Sequence, residues 1–555
     1  MKSFVLSLPF TPSHSLSLLT LVILLAACGG HRHEDKMIFR YNETAGIATL
    51  DPAFAKDQSI IWPCRQLYNG LIELDTALEV QPSIAKRWTI SDDGLTYTFI
   101  LRDDVYFHKN ELFNGDKETG DKEIRQMSDS TRRVIASDFV YSFHRIVDPT
   151  VLSPGAWVFS EVDTFYAPTD TTFIIRLKEP FAPFLSLLGM VYCSVVPHEV
   201  VEHYGKDFRS HPCGTGPFQF QYWKEGVKLV LRKNPLYFEV ISTHRLPYLD
   251  AVAVTFIVDR QTVFLEFVKG NLDFMNSLDA SYKDEILTPD GRLKEKYADR
   301  IDMVSTPYLN TEYLGFNMED HNSVLHDRRL RQAIALGFDR RKMMKYLRNN
   351  VGEPGVYGFI PRGLPGAAEQ PLYEYDPGRA RTLIAEVKKS LGGKEIPPLK
   401  LSTTSNYVDL CKYIQQQLGL LGLTVEVDVN PPAPLRQQMS EGKLPWFRGS
   451  WVADYPDAEN YLSLFYSPNR APAGPNYTRF NNPEVDRLYT RARSTTDPEQ
   501  RTALYHRIDS LVMAEAPVIV LYYDQILHFT HKNIHGLRTN AMNALDLRKL
   551  KIIKN

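Results

Sequence analysis

The apolar run at 181–196 sets the first constraint on the fold. It carries Pro183 and Gly189 and stops at Pro197. A bilayer span needs roughly 20 consecutive apolar residues, so this shorter, broken run reads as buried core. A chain of 555 residues that buries its apolar side chains against itself exceeds what one core holds, and two or three domains are expected. Net charge is −2 with no long basic block, which gives a nucleic-acid partner no electrostatic support. The aromatic share of 12% has two uses, large cores or clefts walled by rings.

The N-terminus reads as an export signal. Lys2 precedes an apolar stretch at 16–27 of secretory length, and residues 1–27 are assigned to a signal peptide. Leu25-Ala26-Ala27-Cys28 has the form of a lipobox, which predicts a diacylated Cys28 as the first mature residue. Residues 28–36 then form a polar tether, with His31-Arg32-His33 inside it rather than in a metal site. Beyond the lipid the chain is expected to be soluble and exported. Cys64, Cys193, Cys213 and Cys411 show no CxxC spacing, so neither a zinc ribbon nor a redox pair is indicated.

Local signals alternate between strand and helix without a strict βαβ rhythm, and the class is mixed α/β. "MIFRYN" starts a strand. In "SDDGLTYTFILRDDVYF" the turn Asp92-Asp93-Gly94 precedes alternating Leu95, Tyr97, Phe99 and Leu101, a hairpin pattern. Residues 109–133 are polar and charged and are read as an exposed insertion. "DRRLRQAIALGFDRRKMMKYL" predicts two short helices, the second capped by Asp339. "TDPEQRTALYHRIDSLVMAEAP" predicts a helix from Asp497-Pro498 to Pro517, with Leu504, Ile508, Leu511 and Val512 as its buried stripe, followed by the strand "VIVLYY".

Two motifs fail as catalytic signatures. "HEVVEH" has five positions from His198 to His203 where the zinc-peptidase motif has four, which turns the second ring off the first one's face. "GTGPF" lacks the Lys-Ser/Thr of a phosphate loop and reads as a strand-entry turn. No G-x-S-x-G occurs.

The stretch "FRGSWVADYPDAENYLSLF" (447–465) sets acidic residues among rings. A carboxylate there is costly without a positive partner. Two readings of Asp454 follow: a binding group for a cationic ligand, or a structural partner of Arg448. Trp451 fits a core residue as well as a pocket wall. Asp457 and Glu459 are read as solvated or helix-capping.

Several segments in order resemble the extracytoplasmic solute-binding proteins of ABC importers, family 5, the oligopeptide- and dipeptide-binding group. They are "TLDPAFAKDQSIIWPCRQLYNGLIELD", "PSIAKRWTISDDGLTYTFILRDDVYF", "ASDFVYSFHRIVDP", "VPHEVVEHYGKDFRSHPCGTGPFQF", "LRKNPLYF", "YLGFNMED…DRRLRQAIALGFDRRKMM", "YDPGRARTLIAEV" and "WVADYPDAENYLSLF…FNNPEVDRLYTRA". The resemblance implies a two-lobed, three-domain periplasmic-binding-protein-like fold that closes on its ligand. A discontinuous domain I would take 37–76, 208–303 and 522–555. Domain II would take 77–207, including the 109–133 insert, and domain III 304–521.

The same resemblance implies site residues. The family's cleft segment R-x-x-W-x-A-D-Y is matched at Arg448, Trp451, Ala453, Asp454 and Tyr455. Asp454 would pair with a peptide's α-amino group, backbone at Ser450 and Val452 with its main chain, and Arg448 with a carboxylate. Backbone of Lys56, Asp57 and Gln58 would contribute from the opposite side. Relatives often carry a Cys at the position of Val452, bonded to one at the position of Asn310; this chain has neither. The implied function is a monomeric, lipid-anchored receptor that captures peptides and delivers them to an ABC permease with its ATPase subunits. It would need no cofactor and would not be an enzyme. The alternatives are another ligand on the same fold (a nickel complex, haem or an oligosaccharide) or an exported hydrolase.

Overall fold

A computed structural model describes residues 36–113, 130–277 and 283–553. The signal segment, Cys28 and the tether lie outside the described residues. The dominant element is an eleven-stranded sheet. Its order runs Val425–Val429, Leu399–Thr403, Trp446–Val452, Ile301–Phe316, Val518–His531, Phe274–Asn276, Ile38–Asn42, Ala251–Thr255, Lys228–Lys233 and Phe218–Lys224, with Glu353–Pro354 paired to Val518–His531. Parallel and antiparallel ladders mix within it. A second sheet has four strands, Ala85–Ile90, Thr96–Leu101, Thr172–Leu177 and Val162–Thr169 in that order.

The two longest strands hold the molecule together. Ile301–Phe316 and Val518–His531 pair antiparallel from Ile301↔His531 to Gly315↔Val518, with a break in register between Pro307 and Thr311. At one end of this ribbon, alternate residues feed two separate cores, because successive strand side chains point to opposite faces. Leu314, Phe316, Trp446, Ile519 and Leu521 enter one core, and Tyr313, Phe447, Val518, Val520 and Tyr523 the other. At the other end, Ile301, Leu527 and Phe529 join a small cluster with Phe264 and Phe267. The largest core takes Phe39, Leu67, Phe99, Phe143 and Val252. The protein is therefore two-lobed, and the chain passes between the lobes along this ribbon.

Most local expectations hold for the stated reasons. Gly94 takes φ +70° at the hairpin turn, and Tyr97, Phe99 and Leu101 are buried on one face. Asp339 accepts from the Lys342 amide at 3.0 Å and starts the helix Arg340–Arg348. Asp497 and Pro498 start Pro498–Glu515, where Tyr505, Ile508, Asp509, Val512 and Met513 are the buried positions. The stripe is thus rotated from the expected one, with Leu504 and Leu511 only partly buried. Gly216 precedes the strand Phe218–Lys224 and lies against the neighbouring backbone; a Cβ there would meet the Gln66 carbonyl at 2.4 Å. The run at 181–196 is core, with Phe184, Leu187 and Cys193 buried.

At the described ends of the 109–133 insert Lys109 and Glu111 are exposed, and other side chains there are packed. Phe113 is buried and stacks on Phe107, and Thr131 donates to the Phe107 carbonyl at 2.6 Å. Arg132 pairs with Asp138 at 2.7 Å. Residues 114–129 lie outside the described residues. Cys64, Cys193, Cys213 and Cys411 are all buried and unpaired. Among the described residues no helix is long and apolar enough to cross a membrane.

Candidate functional site

The site begins where the strand Trp446–Val452 ends. Its ladder with Ile301–Phe316 runs from Phe316↔Trp446 to Asn310↔Val452 and is extended by the Ala453 amide donating to Leu309 O at 2.8 Å. Gly449 lets the Tyr313 ring cross the strand, since a Cβ there would meet its Cζ at 2.6 Å. Past Pro456, Asp457 accepts from the Glu459 amide at 2.9 Å and caps the short helix Ala458–Leu462. Asn460 of that helix turns back. Its Oδ1 accepts from Trp451 Nε1 at 2.9 Å and from the Asp454 amide at 3.2 Å, tying strand end to helix start.

This bracing presents Asp454 to a cavity of about 330 Å³ between the lobes. Lys56, Asp57, Gln58 and Tyr192 line it from one lobe; Tyr308, Val452 and Asp454 line it from the other. Such a volume lies at the lower end of the range of roughly 300–1,000 Å³ typical of small-ligand sites. The Asp454 carboxylate is exposed to the cavity but has protein on its other sides. That burial holds its pKa above the ordinary value, and the Asn460 contact opposes the rise. No cation pairs with it among the described residues. Across the cavity, Asp57 occupies the capping position of the helix Gln58–Leu67, yet its side chain makes no cap hydrogen bond. Gln58 Nε2 donates to Asn543 O at 2.8 Å, and Lys56 is exposed.

Arg448, Ser450 and Trp451 are not brought to the cavity wall. Arg448 pairs with Glu312; the two side chains are 10% and 2% exposed, and the guanidinium lies 3.3 Å over the Tyr407 ring. Beside them Arg348 pairs with Asp524 at 2.7 Å, and Asn310 Nδ2 donates to Glu312 at 3.1 Å. Two guanidinium groups and two carboxylates thus neutralise one another, as buried charges require. Burial pushes the Glu312 pKa up and Arg448 pulls it back. Arg448 therefore already has a carboxylate, and it is Glu312 rather than Asp454. Trp451 packs partly against the core beside Tyr313, and Ser450 is exposed. The register sets Asn310 opposite Val452, so an amide and a valine are cross-strand neighbours at the end of this ladder.

Glu459 corrects the sequence reading. It is 3% exposed and accepts from the Tyr455 and Tyr489 hydroxyls, with Arg493 Nε at 3.7 Å. The helix starting at Ala458 turns it inward, against Tyr455 and Tyr489. Its raised pKa is due first to burial. Asn460, Glu312 and Glu459 had no local sequence signal, since each acts through a fold-dependent partner. His198 and His203 sit exposed on the helix His198–Tyr204.

Comparison with known proteins places these features in context. Residues 79–473 match the family described as bacterial extracellular solute-binding proteins, family 5 Middle. The probable di/tripeptide-binding protein 5 of Pseudomonas aeruginosa is 26% identical over 88% of this chain and 90% of its own length. The glutathione-binding protein GsiB of Salmonella typhi is 25% identical over 89% of this chain and 90% of its own. Among solved structures, the periplasmic binding protein DppA of Helicobacter pylori, in complex with the peptide STSA, superimposes with a TM-score of 0.73 at 23% identity, covering 95% of this chain and all of that one.

Proposed function

This chain belongs to the bacterial extracellular solute-binding proteins of family 5, and on that premise we propose that it captures peptides outside the cytoplasmic membrane for an ABC importer. The carrying observation is the unpaired Asp454 carboxylate on the wall of a cavity that both lobes line. An α-amino group has a pKa of about 8 and is mostly cationic at neutral pH, so a peptide N-terminus matches this carboxylate in charge. Main-chain groups at Val452 and along Lys56, Asp57 and Gln58 would hold the peptide backbone as an added strand is held, with little regard to side chains. Arg448 and Trp451 act behind the cavity wall, keeping the strand end in place, while Ser450 is exposed away from that wall. The ligands in the names of the relatives, di- and tripeptides and glutathione, support a short peptide.

In this reading the protein is a monomer without cofactor, anchored by lipid on Cys28, that hands its peptide to a permease with ATPase subunits. The discontinuous domain I at 37–76, 208–303 and 522–555, with domain II at 77–207 and domain III at 304–521, would let the lobes close on the ligand. Native mass spectrometry of the purified mature protein, followed by calorimetric titration with di- to pentapeptides, tests the reading. A carried peptide and saturable one-to-one heats are expected. A carried metal complex, haem or oligosaccharide with no heat from any peptide would overturn it, as would cleavage of the peptide.

A further inference from the structure

Gln58, Ile61 and Arg65 follow one another at helical spacing on Gln58–Leu67, and all three line the cavity that holds Asp454. Arg65 also lines a smaller adjoining cavity of about 100 Å³, so its side chain is a wall common to both. Its Nε is buried without a hydrogen-bond partner, and the guanidinium forms no ion pair among the described residues. The carboxylates nearest in charge, Glu73 and Asp546, are held by Arg548 at 3.0 and 2.9 Å. Burial lowers the Arg65 pKa; Glu73 and Asp546 counter that, and Arg548 adds to it. A half-buried cation whose Nε has no partner is costly until an anion reaches it. Lys56 and Asp57, the other charges on this wall, are exposed to water and carry no such cost.

Asp454 and Arg65 both line this cavity, one from each lobe. Resting on the peptide reading above, we propose that Arg65 is a carboxylate-binding point of this cavity, taking the C-terminal carboxylate of a short peptide whose ammonium pairs with Asp454. Recognition of both ends favours short ligands over long ones. It is a specificity that no single anchor supplies.

The test is titration calorimetry with tripeptides of varied side chains, each as free acid, as C-terminal amide and as N-acetyl acid, and with one amidated tripeptide that carries a glutamate side chain. Wild type is expected to bind the acid about tenfold or more tighter than the amide, the scale of a charge-assisted hydrogen bond. In Arg65→Gln that preference is expected to vanish, and in Arg65→Lys to survive in part. Equal binding of acid and amide by wild type, or an undiminished preference in Arg65→Gln, overturns the proposal. So does a glutamate side chain that restores full affinity to the amide, because Arg65 would then read a side chain. If the N-acetyl arm alone loses affinity, Arg65 fails as an anchor while the peptide reading stands. If no arm binds, both fall. The acid-to-amide comparison on wild type needs no variant to fold.

Discussion

Arg493, in the last turn of the helix Pro483–Ser494, donates through Nη2 to Glu161 of the other lobe at 2.9 Å. The same guanidinium lies 4.8 Å from the Phe181 ring centroid, and the Ala182 amide donates to the Arg493 carbonyl at 3.0 Å. Arg493 therefore fastens the lobes beside the cavity while its Nε stays near the buried Glu459. Removing the side chain loosens this contact between the lobes and leaves Glu459 with less compensation.

Arg493→Ala is expected to weaken peptide binding by roughly 3- to 10-fold, mostly through faster dissociation, because a partly exposed pair contributes about 1 kcal/mol and binding-competent molecules become fewer. Stopped-flow dissociation with a labelled peptide reads this directly. An unchanged off-rate would show that the contact does not hold the lobes together.

Asp454→Asn removes the charge and keeps the shape. Wild type is expected to bind a free-amino peptide about tenfold or more tighter than its N-acetylated form, and the variant to lose most of that preference. Calorimetry of both peptides against both proteins forms the cycle. If the preference is the same in wild type and variant, Asp454 is not the ammonium anchor.

Asp509 gives a pH dependence to stability. Its Oδ1 accepts from the Phe359 amide at 2.8 Å while Oδ2 is buried without a partner, and burial pushes its pKa up to about 7. The unfolded value is about 3.9, so the folded state binds the extra proton between these values. The stability linked to this group is complete below about pH 4 and is lost as the pH rises through about 7, a change on the order of a few kcal/mol. Urea unfolding at several pH values is expected to show that decline in wild type and a flatter profile in Asp509→Asn. Parallel profiles for the two proteins would assign the decline to other groups.

Cys28→Ala is expected to release the protein from membranes, since two acyl chains anchor stably where one is marginal. Fractionation of cells expressing the variant checks this. A variant that pellets with membranes as wild type does would mean the anchor lies elsewhere.

The sequence made the elements legible because caps, turns and alternation act within a few residues. Asp339, Asp497 and the Gly94 turn are of this kind. The acidic residue at the strand end, Asp454, was legible as well, since Pro456 marks the end of the strand and a carboxylate among rings calls for an explanation. What surrounds it was not. Arg448 finds Glu312 across a ladder that joins positions 136 apart, and no local pattern encodes that pairing. Arg65 had a weak signal, its helical spacing from Gln58 and Ile61, but the missing partner that makes it notable emerges only when the fold shows where Glu73 and Asp546 go.

The ribbon of Ile301–Phe316 and Val518–His531 has a mechanical consequence. Any change in the angle between the lobes must twist these two paired strands. Torsion of a two-stranded ladder leaves its cross-strand hydrogen bonds made, and the register break between Pro307 and Thr311 is a place where strain can spread without unzipping the rest. In the proposed closure the ribbon would work as an axle with a soft joint. Its stiffness would be set by backbone pairing rather than by the residues that meet the ligand, so changes in the walls of the cavity would leave the motion that opens and shuts them unaltered.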